Sequence, residues 1–142
     1  MTEDDWIAYN KTRYRTWYNC AGVIVKNDNK VLLVQDKHTM KWSFPKGAAE
    51  VADKEHPITT AIRECYEEVR LIPSTDYTIE SRKLHRFPYD TYYIFAIIHE
   101  GAEERARIND DKGHQVKWCT PHDIQMMWKD VNNGVRHYVN KY

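Results

Sequence analysis

Residues 47–71, GAAEVADKEHPITTAIRECYEEVRL, constrain the fold more than any other stretch of this 142-residue chain. At about 100° per residue, Ile58, Ala61, Ile62, Cys65 and Val69 fall within an arc of roughly 80–100°. That apolar stripe predicts an amphipathic helix packed on a core. Pro57 suits the first helical position, because its ring presets φ and its missing N–H is not needed there. The helix is expected to start near His56, a structural rather than catalytic histidine, and to run to about Val69. Glu64, Glu67 and Glu68 are spaced i, i+3, i+4 and share a second face. Arg63 and Arg70 lie to one side of that face. Crowded carboxylates repel one another unless a cation neutralises them, and a hard divalent cation with oxygen ligands is the simplest neutraliser. Taken alone, the three glutamates fit a solvated acidic face better.

The flanking residues change that balance. Gly47, Glu55, the run Arg63-Glu64-Cys65 with Glu67-Glu68, and Leu71 occur in one order, preceded by AGVIV, VLLVQ and WSFPKG. Together they resemble the Nudix box, G-x(5)-E-x(7)-R-E-U-x-E-E-x-G-U, where U is apolar. The spacing from Glu55 to Arg63 is the family's. Two features depart from it. Seven residues separate Gly47 from Glu55 where the pattern has five, which reads as a two-residue loop insertion; pairing Gly47 with Asp53 instead breaks the spacing to Arg63. The late glycine of the box is Arg70. A glycine there ends the helix in the left-handed conformation, which costs another residue about 1 kcal/mol or more. The helix is therefore expected to end differently, before Pro73.

The length suits one domain, residues 1–142, with a short N-terminal segment at 1–16. The charge balance is zero with 30% charged residues, so any contact with nucleic acid or an anionic membrane needs a local patch. No apolar run approaches a membrane span, and MTEDDW does not read as a secretory signal. Cys20, Cys65 and Cys119 form no zinc or C-x-x-C pattern. Cys65 lies on the apolar stripe and reads as a small core residue. A reducing cytoplasm fits best. The seven histidines show no metal spacing.

In the N-terminal segment, Trp6, Tyr9 and Tyr14 alternate with Lys11, Arg13 and Arg15. Such a mixture can bind RNA, but a terminus folding its aromatics onto the core is the simpler reading. Residues 18–26 and 31–36 are β-rich runs joined by Asn27–Lys30, a hairpin. Pro45 and Gly47 force a turn before the helix, and Trp42 and Phe44 read as core. Residues 76–87 and 91–99 read as strands, the second apolar enough to be central. The first carries Arg82, Lys83, His85 and Arg86, which is either a phosphate-binding patch or a solvated edge. QVKWC reads as a strand, PHDIQMMWKDV as a helix capped near Thr120, and NNGVRHYVNKY as a last helical turn or two.

The resemblance implies an α/β (α+β sandwich) Nudix fold, a mixed β-sheet flanked by helices. It implies hydrolysis of a nucleoside diphosphate linked to another moiety, with Mg²⁺ or Mn²⁺ held by Glu64, Glu67 and Glu68 and by the Lys46 carbonyl. Arg63, which reaches Glu67 at i+4 and in relatives also pairs with the first glutamate, here Glu55, would orient those carboxylates. Lys46, Gly47, Arg82, Lys83 and Arg86 are candidates for substrate contact, and Asp110 and Asp111 for an extra carboxylate. The general base stays open among Glu67, Glu68 and the 100–114 loop. WSFPKG followed by RECYEEV looks most like the mRNA-decapping branch, whose members release methylated GDP from capped RNA. The alternatives are a hydrolase of dinucleoside or diphosphoinositol polyphosphates, and a catalytically silent binding module.

Overall fold

A computed structural model describes residues 18–50, 56–107 and 115–142. Glu55, Asp110, Asp111, the loop insertion and the N-terminal aromatics lie outside the described residues.

The sheet grows outward from β1 (Cys20–Asn27). Its C-terminal end turns at Asp28, φ 53°, into β2 (Lys30–Gln35), with which it pairs antiparallel. Its N-terminal end pairs antiparallel with β4 (Lys46–Ala48), Gly22 opposite Lys46 and Ala21 opposite Gly47. Along its other edge runs β7 (Thr91–Ile98), parallel, from Cys20 opposite Thr91 to Lys26 opposite Ile97. β3 (Trp42–Ser43) and β8 (Gln115–Cys119) add to β2. β5 (Tyr77–Ile79) and β6 (His85–Phe87) add to β7. The result is a mixed sheet with helices on both faces, as the sequence led us to expect. No described helix is long and apolar enough to cross a membrane.

Alternation along the strands builds two cores. Ala21, Val23, Val25, Leu32, Val34, Ile94 and Ala96 pack with Ile58, Ala61, Cys65 and Val69 of α1 (Pro57–Val69). Ile24, Leu33, Phe44 and Tyr93 face the opposite way, against Ile124 of α2 (Pro121–Met126) and Val135 of α3 (Asn133–Lys141). Full burial of such aliphatic side chains contributes roughly 1.5–3 kcal/mol each. Phe44 is fully buried, as core packing required.

Local chemistry explains the helix ends. His56 caps α1 by accepting a hydrogen bond from the Ile58 N–H at 3.1 Å, with Pro57 in the first turn. Thr120 and Asp123 form a reciprocal capping box on α2. That helix is shorter than its sequence suggested, ending at Met126 before a separate turn at Trp128–Asp130. Arg70 corrects a further expectation. It does adopt the left-handed conformation, φ 64° and ψ 21°, and its N–H reaches the Tyr66 carbonyl at 2.9 Å. The helix thus ends as a glycine would end it, and the Arg70 guanidinium lies 5.2 Å from the Tyr66 ring centre.

Candidate active site

The face of α1 that carries the glutamates lies over β4. Gly47 shows how closely: a Cβ there would sit 2.1 Å from the Glu64 carboxylate carbon. Only a residue without a side chain lets the strand pass beneath this carboxylate. Glu64 is 8% exposed, unusual for a glutamate. Arg63 provides the compensating charge. Its Nη1 donates to Glu64 Oε1 at 2.8 Å and to Glu67 Oε2 at 3.2 Å, and its Nη2 donates to the Ala48 carbonyl at 3.1 Å. One guanidinium therefore fixes two helix carboxylates against β4. Exposed Glu50 approaches the same group at 3.5 Å. Glu68 is oriented from the strand side, accepting from the Lys46 backbone N–H at 3.3 Å.

Lys46, Gly47, Arg63, Glu64, Glu67 and Glu68 thus come together where α1 crosses β4. Their donors are hard oxygens, and carboxylates outnumber the guanidinium among them, which fits a hard divalent cation. Among the described residues, no group of three or more His, Cys, Asp or Glu side chains is gathered tightly enough to hold a metal ion. Thiol chemistry is disfavoured: burial pushes the Cys65 thiol well up, with Glu68 adding to the effect, and burial raises Cys119 to about 11.

The basic tract is divided between a loop and a strand. Residues 80–84 leave the sheet, and Arg82 and Lys83 are exposed there. His85 and Arg86 follow on β6, where alternation sends them to opposite faces. His85 stacks on Phe95 with ring centres 4.1 Å apart. Arg86 is engaged by Asp90 at 2.6 Å.

A recess of about 300 Å³ opens beside Lys46, with Cys20, Tyr89, Tyr93 and Asn133 in its walls. Burial, and then the nearby Cys20 and Glu68, hold the Tyr93 hydroxyl protonated. In the sequence, Pro88–Asp90 only separates two predicted strands and Asn132-Asn133 only opens the last helical stretch, with no site reading at either. The one available signal was an aromatic flanked by turn formers.

A helix with one buried and two half-buried carboxylates, laid over a glycine-bearing strand, defines a charged site suited to phosphate chemistry. The NUDIX domain model matches residues 18–140, and the chain belongs to the Nudix family. It is 37% identical over 81 residues to an RNA pyrophosphohydrolase of Francisella philomiragia, a match covering 57% of this chain and 49% of that protein. It is 31% identical over 83 residues to a nucleoside triphosphate pyrophosphatase/Nudix hydrolase fusion protein of Bifidobacterium longum, covering 58% of this chain and 17% of that one. The matched region thus spans about half or less of these relatives' lengths. Among solved structures, a NUDIX hydrolase from Nitrosomonas europaea aligns with TM-score 0.64 at 16% identity, over 87% of this chain and 86% of that one. A C. elegans Ap4A hydrolase aligns with TM-score 0.60 at 21% identity, over 75% and 83%. At such identities these two likenesses concern the fold alone.

Proposed function

We propose that the chain is a metal-dependent pyrophosphohydrolase that cleaves the linkage between a nucleoside diphosphate and another group. The observation that supports this reading is the crossing of α1 over β4, where Glu64 lies against Gly47, Arg63 holds Glu64 and Glu67, and the Lys46 N–H holds Glu68. Glu64, Glu67 and Glu68, with the Lys46 carbonyl, would hold Mg²⁺ or Mn²⁺. When bound, such an ion neutralises phosphate charge and lowers the pKa of a coordinated water. The protein's own part is positioning. Arg63 keeps Glu64 and Glu67 in register, the Lys46 N–H fixes Glu68, and the Lys46 ammonium attracts the phosphate chain. Asp110 and Asp111 stay candidates for an extra carboxylate, and Glu55 for a partner of Arg63.

The 5′ end of RNA is the substrate class we favour, the mRNA cap first, with methylated GDP released. The WSFPKG approach and the similarity to an RNA pyrophosphohydrolase support it. The free thiols of Cys20, Cys65 and Cys119 suit work in a reducing cytoplasm. One observation favours a second reading, hydrolysis of dinucleoside or diphosphoinositol polyphosphates. The pairing of Arg86 with Asp90 removes a cation from the tract that would follow an RNA backbone. The test is kcat/KM for capped RNAs of increasing length, set beside the cap dinucleotide, diadenosine polyphosphates and diphosphoinositol polyphosphates. Rising efficiency with RNA length, and steep loss with salt, supports the RNA reading. A flat length dependence with a small polyphosphate preferred supports the second. Turnover of none of them in Mg²⁺ or Mn²⁺ refutes the proposed reaction.

A further inference from the structure

The recess beside Lys46 has an unusual rim. Tyr89 and Asp90, consecutive non-glycine residues, both take the left-handed conformation, φ 63° and 51°. For a bulky aromatic this is a real outlier, and such conformations persist only where the surroundings over-determine them. They do so here. Asn19 Nδ2 donates to the Tyr89 carbonyl at 2.8 Å, and the Asn19 N–H donates to the Asp90 carbonyl at 2.8 Å. Arg86 clamps the Asp90 carboxylate at 2.6 Å. At its tip, the Tyr89 hydroxyl accepts from Asn133 Nδ2 at 3.2 Å.

All this fixes a ring that is 73% exposed. Tyr89 therefore contributes little to the core, although the fold holds both its backbone and its hydroxyl. What it offers is a rigid aromatic face at the edge of a recess of about 300 Å³ that reaches Lys46. That volume is at the small end for ligand sites, room for one nucleoside rather than two nucleotides. Every nucleobase has a π-face, so one fixed ring serves as a stacking platform.

We propose that this recess is a nucleoside subsite in which Tyr89 stacks the base, with the phosphate chain leaving past Lys46 toward Glu64, Glu67 and Glu68. The direction of the phosphate chain rests on the pyrophosphohydrolase reading; the base platform does not. Arg86 is then a positioning residue that fixes the turn.

The experiment compares AMP and GMP with ribose 5-phosphate, which carries the same phosphate without a base. None of the three contains a phosphoanhydride, so binding to the full chain in magnesium buffer is measured calorimetrically without turnover. Glycine is at ease at φ 63°, so Tyr89→Gly deletes the ring and keeps the turn, and Tyr89→Phe deletes only the hydroxyl. Wild-type protein should bind AMP and GMP about tenfold tighter than ribose 5-phosphate, the scale of one stacked base. Tyr89→Gly should erase that preference and Tyr89→Phe should keep most of it. No base preference in the wild type, or a preference intact in Tyr89→Gly, overturns the subsite. A chain that hydrolyses no polyphosphate but loses its base preference in Tyr89→Gly keeps the subsite and refutes the reaction. An active enzyme whose preference ignores Tyr89→Gly does the reverse.

Discussion

Gly47→Ala separates the geometry of the site from the stability of the fold. The added methyl would lie 2.1 Å from the Glu64 carboxylate carbon and one of its oxygens, and 2.5 Å from the other. Ordinary contact begins at 3.4 Å, so the carboxylate must retreat by about 1.3 Å. The obstacle is the end of a flexible side chain rather than backbone, so the chain should still fold. Overpacking of this kind costs about 1–3 kcal/mol, and the lower end is expected because Glu64 can swing away. That is a fall in Tm of a few degrees. The site has no comparable latitude. A shift of this size breaks the 2.8 Å contact with Arg63, and misplacing a catalytic group by about 1 Å costs about a hundredfold in rate. The assay is kcat on a nucleoside polyphosphate with Mg²⁺, paired with a thermal melt. A folded Gly47→Ala protein with near-normal kcat would refute the reasoning, because Glu64 would then not need its position.

Two further outcomes follow from the packing. Arg70→Gly relieves left-handed strain of about 1–2 kcal/mol and gives up a ring contact worth about 0.5–1 kcal/mol at an exposed site; Tm should rise slightly, and a clear fall would show that the side chain contributes more than its contact with Tyr66. Burial, with Lys83, Lys141 and Lys26, holds His85 below its ordinary pKa of 6.5, against a smaller opposing pull from Glu80. The unfolded chain then takes up the proton first, so stability should decline as pH falls through 6.5 and level off below the folded pKa. His85→Phe keeps the ring on Phe95 and should flatten that decline; an unchanged Tm-against-pH curve would assign it to other groups.

The features legible in the sequence were those with a short-range physical signature. The 3.6-residue stripe located α1, Pro57 its start, and the shared glutamate face the carboxylates. Gly47 read only as a turn former beside Pro45; its close approach to Glu64 depends on how β4 passes beneath α1. Arg63 was expected beside Glu67; its reach to Glu64 and to the Ala48 carbonyl depends on where α1 crosses β4, which is a tertiary fact. The tract 82–86 stayed open between a patch and a solvated edge because charge clustering in sequence does not say which face each residue takes. One strand residue's offset sends His85 onto Phe95 and Arg86 the other way, toward Asp90. Arg70 was misjudged because propensity weighs strain alone, and here the helix geometry prevails. Tyr89 was overlooked because its partners, Asn19 and Asn133, lie 70 and 44 residues away.

The central claim is that the carboxylates of α1 perform the reaction. The most direct measurement is kcat of Glu68→Gln for a nucleoside polyphosphate in Mg²⁺ or Mn²⁺, with Tm recorded on the same sample. Glutamine retains an oxygen for the Lys46 N–H and removes the charge, so the fold should stand. The account predicts a loss of about a hundredfold or more, the scale of removing one major electrostatic contributor. Near-normal turnover by a folded Glu68→Gln protein would contradict it.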